Sequence, residues 1–139
     1  MAFLNEEDYL SQIQDFDLDS LTNYTNGKRT DAELRAQAQM ESYLSDRYNA
    51  GIIFQQTGND RNPLVVMYMI DIALYHLFCT ITPRMVPDIR IERYRDAMKW
   101  LDKVREGDIN PNLPENTNKA GDKLIDSYFG SNIKNGYSW

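Results

Sequence analysis

The sequence predicts an all-α protein: a small bundle of four main helices around a central apolar helix at about residues 63–79, followed by an irregular C-terminal arm. Three observations predict it. The stretch "PLVVMYMIDIALYHLFC" (63–79) is apolar around most of a helical circumference, the pattern of a helix enclosed by other helices. The stretch "DIRIERYRDAMKWLDKVREG" (88–107) repeats apolar residues at helical spacing and closes on a glycine, the residue favoured just past a helix C-terminus. Capping residues or proline stand at the expected start of each earlier helix.

Taken in order, the first helix is expected over about residues 6–15, with Asn5 as N-cap and acids in the first turn, where the helix dipole favours them. Asn26-Gly27 reads as a turn. Thr30 and Glu33 have the spacing of a capping box, so the second helix is expected to start there and to run to about Tyr48. Its apolar side would be Leu34, Ala38, Leu44 and Tyr48, interrupted by Glu41. In the linker "NAGIIFQQTGNDRNP", residues 52–54 are expected to tuck a short extended piece into the core. Pro63 suits the first turn of the central helix, where a missing N–H costs nothing.

The fourth helix is expected over 88–106, with Gly107 as its cap. Ile91, Tyr94, Ala97, Met98, Leu101 and Val104 form its apolar face at 100° per residue. Trp100 falls outside that face, near Ile89, Arg93 and Asp96, and so needs a cover. Residues 108–139 change character. They are rich in Asn, Pro and Gly, yet carry Ile125, Tyr128, Phe129, Ile133, Tyr137 and Trp139. An arm this apolar is expected to lie on something, either its own domain or a neighbour. The expected division is therefore a helical domain at 1–107 and an arm at 108–139.

Composition narrows the function. A chain of 139 residues is about one domain. A single cysteine excludes a disulfide framework and suits a reducing compartment. "MAFLNEEDYL" has no basic segment ahead of an apolar one, so no secretory leader is expected. The apolar run at 64–79 is shorter than the ~20 residues a bilayer span needs and has Asp71 at its centre. No membrane partner is expected. The net charge of −6 argues against nucleic acid as the main partner. That charge is uneven: residues 1–46 hold ten acids and three bases, whereas 47–107 hold nine bases and seven acids. Head-to-tail contact between copies would use such an asymmetry; a solvated acidic helix is the plainer reading.

Few residues suggest chemistry. His76 is the only histidine, and Asp71, five residues earlier, lies about 140° around the helix from it, unlike an i,i+4 ligand pair. Cys79 could touch His76, but a reactive Cys–His pair wants an exposed, electropositive setting. Asp71 must be paired or protonated if buried. Tyr75 is one turn on, and the fourth helix offers Arg90, Arg93 and Arg95. A polar tie of Asp71, Tyr75 and Arg93 fixing the register of the third and fourth helices is the expectation. No glycine-rich phosphate loop, HExxH, paired CxxC or GxSxG is present. No catalytic, metal or cofactor site is expected, and an enzyme would require Asp71 or His76 to open onto a pocket.

Three pieces in order carry a resemblance: Tyr43, Leu44, Arg47 and Tyr48; then Asp71, Ile72, Ala73, Tyr75 and Leu77; then Glu92, Arg93, Tyr94, Asp96, Ala97, Trp100, Leu101 and Gly107. Together with "FLNEEDYLSQI" at the N-terminus, residues 1–107 resemble the Mu-like phage and prophage family of small head–tail junction proteins, the adaptors or head-completion proteins of long-tailed phages. The chain departs from that pattern at Ala50-Gly51-Ile52, where relatives often have a short Leu-Pro turn, and in its longer, more aromatic tail.

The resemblance implies a non-enzymatic, all-helical subunit at the virion head–tail junction, made in the bacterial host cytoplasm. It would form a homo-oligomeric ring beneath the portal, offer a surface to the stopper or tail, and let DNA pass without reading its sequence. Trp100, Ile89, Tyr128, Phe129, Tyr137 and Trp139 are then the expected subunit or partner interface. The alternative is a small prophage-encoded interaction or regulatory protein, acting as monomer or dimer with its arm folded back on Trp100.

Overall fold

The computed structural model describes residues 3–13 and 26–116. Among them are five α-helices: α1 (Glu6–Tyr9), α2 (Asn26–Leu44), α3 (Ala50–Ile53), α4 (Pro63–Ile81) and α5 (Asp88–Glu106), with a 3-10 turn at Gly58–Asp60. No β-strand occurs among the described residues, and the class is all-α as expected. The helices α2, α4 and α5 pack on one another, and α1 lies against α4.

The α4 helix is the centre. By length and composition alone it could cross a membrane. Here its residues 69–74 are buried without a break, so the middle of the helix is enclosed on every side. Asn62 caps it, its side-chain oxygen accepting from the Leu64 N–H at 2.9 Å, and Pro63 occupies the first turn. The helix continues two residues past 79, to Ile81.

The α1 helix is shorter than the ten residues expected. Asn5 does cap it, through a reciprocal box: the Asn5 side-chain oxygen accepts from the Asp8 N–H at 3.1 Å, and Asp8 Oδ2 accepts from the Asn5 N–H at 2.8 Å. After Tyr9 the backbone tightens into i→i−3 bonds, with Leu10 N–H donating to Glu7 and Gln12 N–H to Tyr9. The Ser11 hydroxyl takes the Asp8 carbonyl at 2.9 Å, so the chain turns rather than extending the helix. Residues 14 and 15 lie outside the described residues.

The α2 helix begins at Asn26, so Asn26-Gly27 is its first turn and Thr30 is interior. Its buried side is Ala32, Ala36, Met40 and Leu44, spaced four apart. Leu34 and Ala38, expected to face inward, are exposed, Leu34 by 59%. The bulky girth of α4 explains the exchange: alanines at the crossing leave room for its Met and Ile side chains, where leucine would hold the axes apart. The helix ends at Leu44, and Tyr48 is reached by a turn and buried separately.

Residues 50–54 are not extended. Asn49 accepts from the Ile52 N–H at 3.1 Å and starts one helical turn, α3. That turn sends Ile53 and Phe54 into the core and leaves Ile52 outside.

The α5 helix has the expected ends. Gly107 sits at φ +91°, and the N–H groups of Gly107 and Asp108 return to the carbonyls of Val104 and Lys103 at 3.1 and 2.9 Å. A Cβ at Gly107 would lie 3.3 Å from Arg47 Nη1, which donates to the Val104 carbonyl. Gly107→Ala is therefore expected to cost about 1–2 kcal/mol through left-handed strain, with Arg47 displaced. Urea unfolding checks it, and an unchanged midpoint would refute the strain.

The inward arc of α5 is rotated from the expected face. Ala97 lies at its centre, flanked by Arg90 and Leu101 on one side and by Val104, Arg93 and Trp100 on the other, Trp100 being about 60° from Ala97 at helical spacing. Trp100 is only 6% exposed and its ring lies 4.9 Å from that of Tyr68 on α4. The expectation that Trp100 offers a partner surface, or waits for the arm, is corrected: α4 covers it.

The boundary expected at 107 moves too. Residues 108–116 are irregular in backbone but lie on the domain. The Asn49 N–H donates to the Pro114 carbonyl at 2.8 Å and the Asn116 N–H to the Arg47 carbonyl at 3.2 Å, around an antiparallel bridge between Tyr48 and Glu115. Leu113 is buried in the same core.

Candidate functional site

Asp71 is 1% exposed at the middle of α4. Arg93 Nε donates to its Oδ1 at 3.2 Å, and Arg93 Nη2 lies 3.1 Å from Oδ2, close enough for an ion pair but off the hydrogen-bonding axis. Burial pushes the Asp71 carboxyl up, and Arg93 and, more weakly, Arg90 offset this only in part. Arg90 is itself buried, and burial lowers its pKa. Its Nη2 donates to the Gln12 carbonyl at 3.4 Å, while its Nη1 has no hydrogen-bond partner among the described residues. One carboxylate thus serves two guanidinium groups.

Tyr75 does not join this tie. Its ring stacks on Tyr94 at 4.0 Å and meets His76 edge-on at 6.0 Å. Asp71 and Arg93 are brought together; Tyr75 belongs to a neighbouring aromatic layer.

His76 sits in that layer. Its Nε2 donates to the Gln39 side-chain carbonyl, and Gln39 Nε2 donates to the Tyr94 hydroxyl at 3.1 Å. Burial, then the nearby Arg35, hold the imidazole pKa below its usual value, so the ring is neutral at neutral pH. Among the described residues no three His, Cys, Asp or Glu side chains could hold a metal ion. The arrangement ties α2, α4 and α5 through polar side chains.

A second set of ties holds the N-terminal segment. Arg61 donates from Nη1 to Asp8 Oδ2 at 2.6 Å and from Nη2 to Asp8 Oδ1 at 3.0 Å, and Nη1 also reaches the Phe3 carbonyl at 2.8 Å. The Tyr9 hydroxyl donates to Glu33 Oε2 at 2.5 Å, with Arg29 over the Tyr9 ring. Sequence reasoning missed the Asp8–Arg61 and Tyr9–Glu33 ties. Arg61 read as linker, and Glu33 as a capping residue; the one available signal was the buriable Tyr9 beside an acid-rich turn. Between this segment and α4 runs a groove of about 270 Å³, lined by residues including Ser11, Asn59, Arg61, Val66 and Met67.

Of the expected interface, Ile89 is 52% exposed at the start of α5; Met85, on the loop before it and not among the expected residues, is 79% exposed. Tyr128, Phe129, Tyr137 and Trp139 lie outside the described residues.

Fold and ties together define a small all-α domain clamped by the arginine–carboxylate pairs Arg93–Asp71 and Arg61–Asp8. The family model described as Bacteriophage Mu, Gp36 matches residues 3–127, and the chain belongs to that family. It is a Mu-like phage protein, and membership points to a phage structural or assembly protein, made in the host and associated with the virion. The match runs past residue 107, where the resemblance was expected to stop, and into the arm. No curated protein and no solved structure gives a significant match.

Proposed function

We propose that the chain is a head–tail connector subunit, an adaptor or head-completion protein forming a homo-oligomeric ring between the portal and the stopper or tail. The ring extends the DNA channel, reads no sequence and catalyses no reaction. Family membership over residues 3–127 carries the reading. The exposed Ile89 and Met85 support it, since apolar side chains at a helix end suit a contact with another protein.

A second reading rests on a specific observation. Trp100 is covered by α4, and residues 108–116 fold back on the domain, as a self-contained regulatory module would have it. Deleting the gene from an inducible parent phage and imaging the lysate separates the two. DNA-filled or leaking heads beside complete, separate tails are expected. Normal infectious particles would overturn the connector and favour the regulator.

A further inference from the structure

We propose that residues 3–13 are an exchangeable plug, and that in the assembled ring the plug of one copy seats in the cleft of the next; the proposal rests on the ring reading. The segment is locally complete. Its backbone N–H bonds run within itself, through the Asn5–Asp8 box and the turn to Ile13. Among the described residues, its hydrogen bonds to the body are made with side chains far along the chain: Asp8 to Arg61, Tyr9 to Glu33, the Phe3 carbonyl to Arg61, and the Gln12 carbonyl to Arg90. Phe3, Leu4 and Tyr9 fill the core, and Phe3 meets Phe54 edge-on at 5.1 Å.

Nothing in those contacts distinguishes a plug of the same chain from a plug of another. The chain between the segment and α2, residues 14–25, can span at most about 40 Å when extended. A domain of this size has a radius of gyration near 13 Å, so the cleft of an adjacent copy is within reach. Exchange of an identical element reuses contacts already made and is a low-cost route to assembly. Neighbours held side by side in a ring supply the local concentration that a dilute subunit lacks.

Charge fits the same occupant. Residues 3–13 hold three acids and no base, whereas the cleft presents Arg29, Arg61 and Arg90 beside the single acid Glu33, which Tyr9 engages. Opposite potentials on plug and cleft draw the two together. Because donor and acceptor are different patches of one chain, each copy gives to one neighbour and receives from the other, the heterologous contact that closes a ring. An empty cleft would expose the apolar surface under Phe3, Leu4 and Tyr9, so it must be filled by one copy or another.

The test places Ser11→Cys on one tagged subunit and Asn59→Cys on a second, both in a Cys79→Ser background, and co-expresses them during infection by the gene-deleted phage. Both positions line the same groove, and a bis-maleimide is the bridging reagent. A covalent heterodimer of the two tags is expected. Linkage within one chain in the Ser11→Cys/Asn59→Cys double variant, with none between the single variants, would overturn exchange. A charge-swapped pair gives a second readout. Asp8→Arg and Arg61→Asp subunits should each fail to restore plaques, because each sets like charges against one another at the plug. Mixed, they should recover plaques, since exchange across subunits seats every plug opposite a cleft of the other sign. Recovery only when both changes share one chain would overturn it. The crosslink reads exchange independently of the deletion phenotype, so failure of the connector reading shows as normal particles and failure of exchange as absent heterodimer.

Discussion

Replacing Arg93 with methionine lowers the stability of the domain by about 3 kcal/mol at neutral pH and by much less in acid. The substitution keeps the aliphatic stem against α4 and removes the cation. Asp71, at 1% exposure, then loses its ion-pair partner and cannot reach water. Its folded-state pKa is already raised by burial. A raised carboxylate pKa means that stability is fully present below the unfolded value, near 4, and is lost as pH rises through the folded value. Without Arg93 that folded value climbs further, so the gap between variant and wild type widens with pH. Urea unfolding at about pH 4 and about pH 7 reads the difference; equal offsets at both would refute the tie.

Asp71→Asn is expected to cost less, about 1–2 kcal/mol, and to remove the pH dependence that Asp71 contributes. Arg93 is 31% exposed and can turn to solvent when its partner is neutral. The loss that remains comes chiefly from Arg90, which is buried and whose cation the Asp71 charge favours.

Tyr9→Ala is expected to cost about 4 kcal/mol, in the range of large aromatic truncations, and Tyr9→Phe about 1–2 kcal/mol. The ring is fully buried, so its removal leaves a cavity between α1 and α2. The hydroxyl is the nearer of Glu33's two partners, at 2.5 Å against 3.7 Å for Arg29. Burial already raises the Glu33 pKa, and the Tyr9 bond is the largest influence lowering it. Losing that bond raises it further, so the cost of Tyr9→Phe also grows with pH. The phenol itself, pushed up by burial and by Glu33, stays protonated throughout. Denaturant midpoints and slopes measure both variants. A Tyr9→Ala cost below about 1 kcal/mol would mean that residues 3–13 are not part of the cooperative unit.

The helix ends that local chemistry controls were legible in the sequence. Asn5, Pro63 and Gly107 mark boundaries that the structure keeps, because a cap or a left-handed residue acts within one turn of itself. Thr30 and Glu33 misled for the converse reason. Their spacing fits a capping box, but Glu33 is taken by Tyr9 from 24 residues away. Asn49 likewise caps a helical turn where the apolar Ile52-Ile53-Phe54 run suggested an extended piece.

Rotation was the larger loss. Counting hydropathy places arginines outward, and with Arg90 and Arg93 outside, Trp100 also falls outside. The buried Asp71 draws both arginines in and carries Trp100 with them, under Tyr68. On α2, a stripe weighted by large apolar residues chose Leu34 and overlooked Ala32 and Ala36, whose virtue is their small size against α4.

By itself, then, the sequence determined the all-α class, the central apolar helix and its enclosed carboxylate, and the ends of α4 and α5 to within two residues. Only the tertiary structure decided which sides of α2 and α5 face inward, that residues 3–13 plug the core, and that 108–116 lie on the domain. The physical reason is range: caps and periodicity act over a few residues, whereas the pairing of a buried charge and the fit of small residues against large depend on chain segments tens of residues apart.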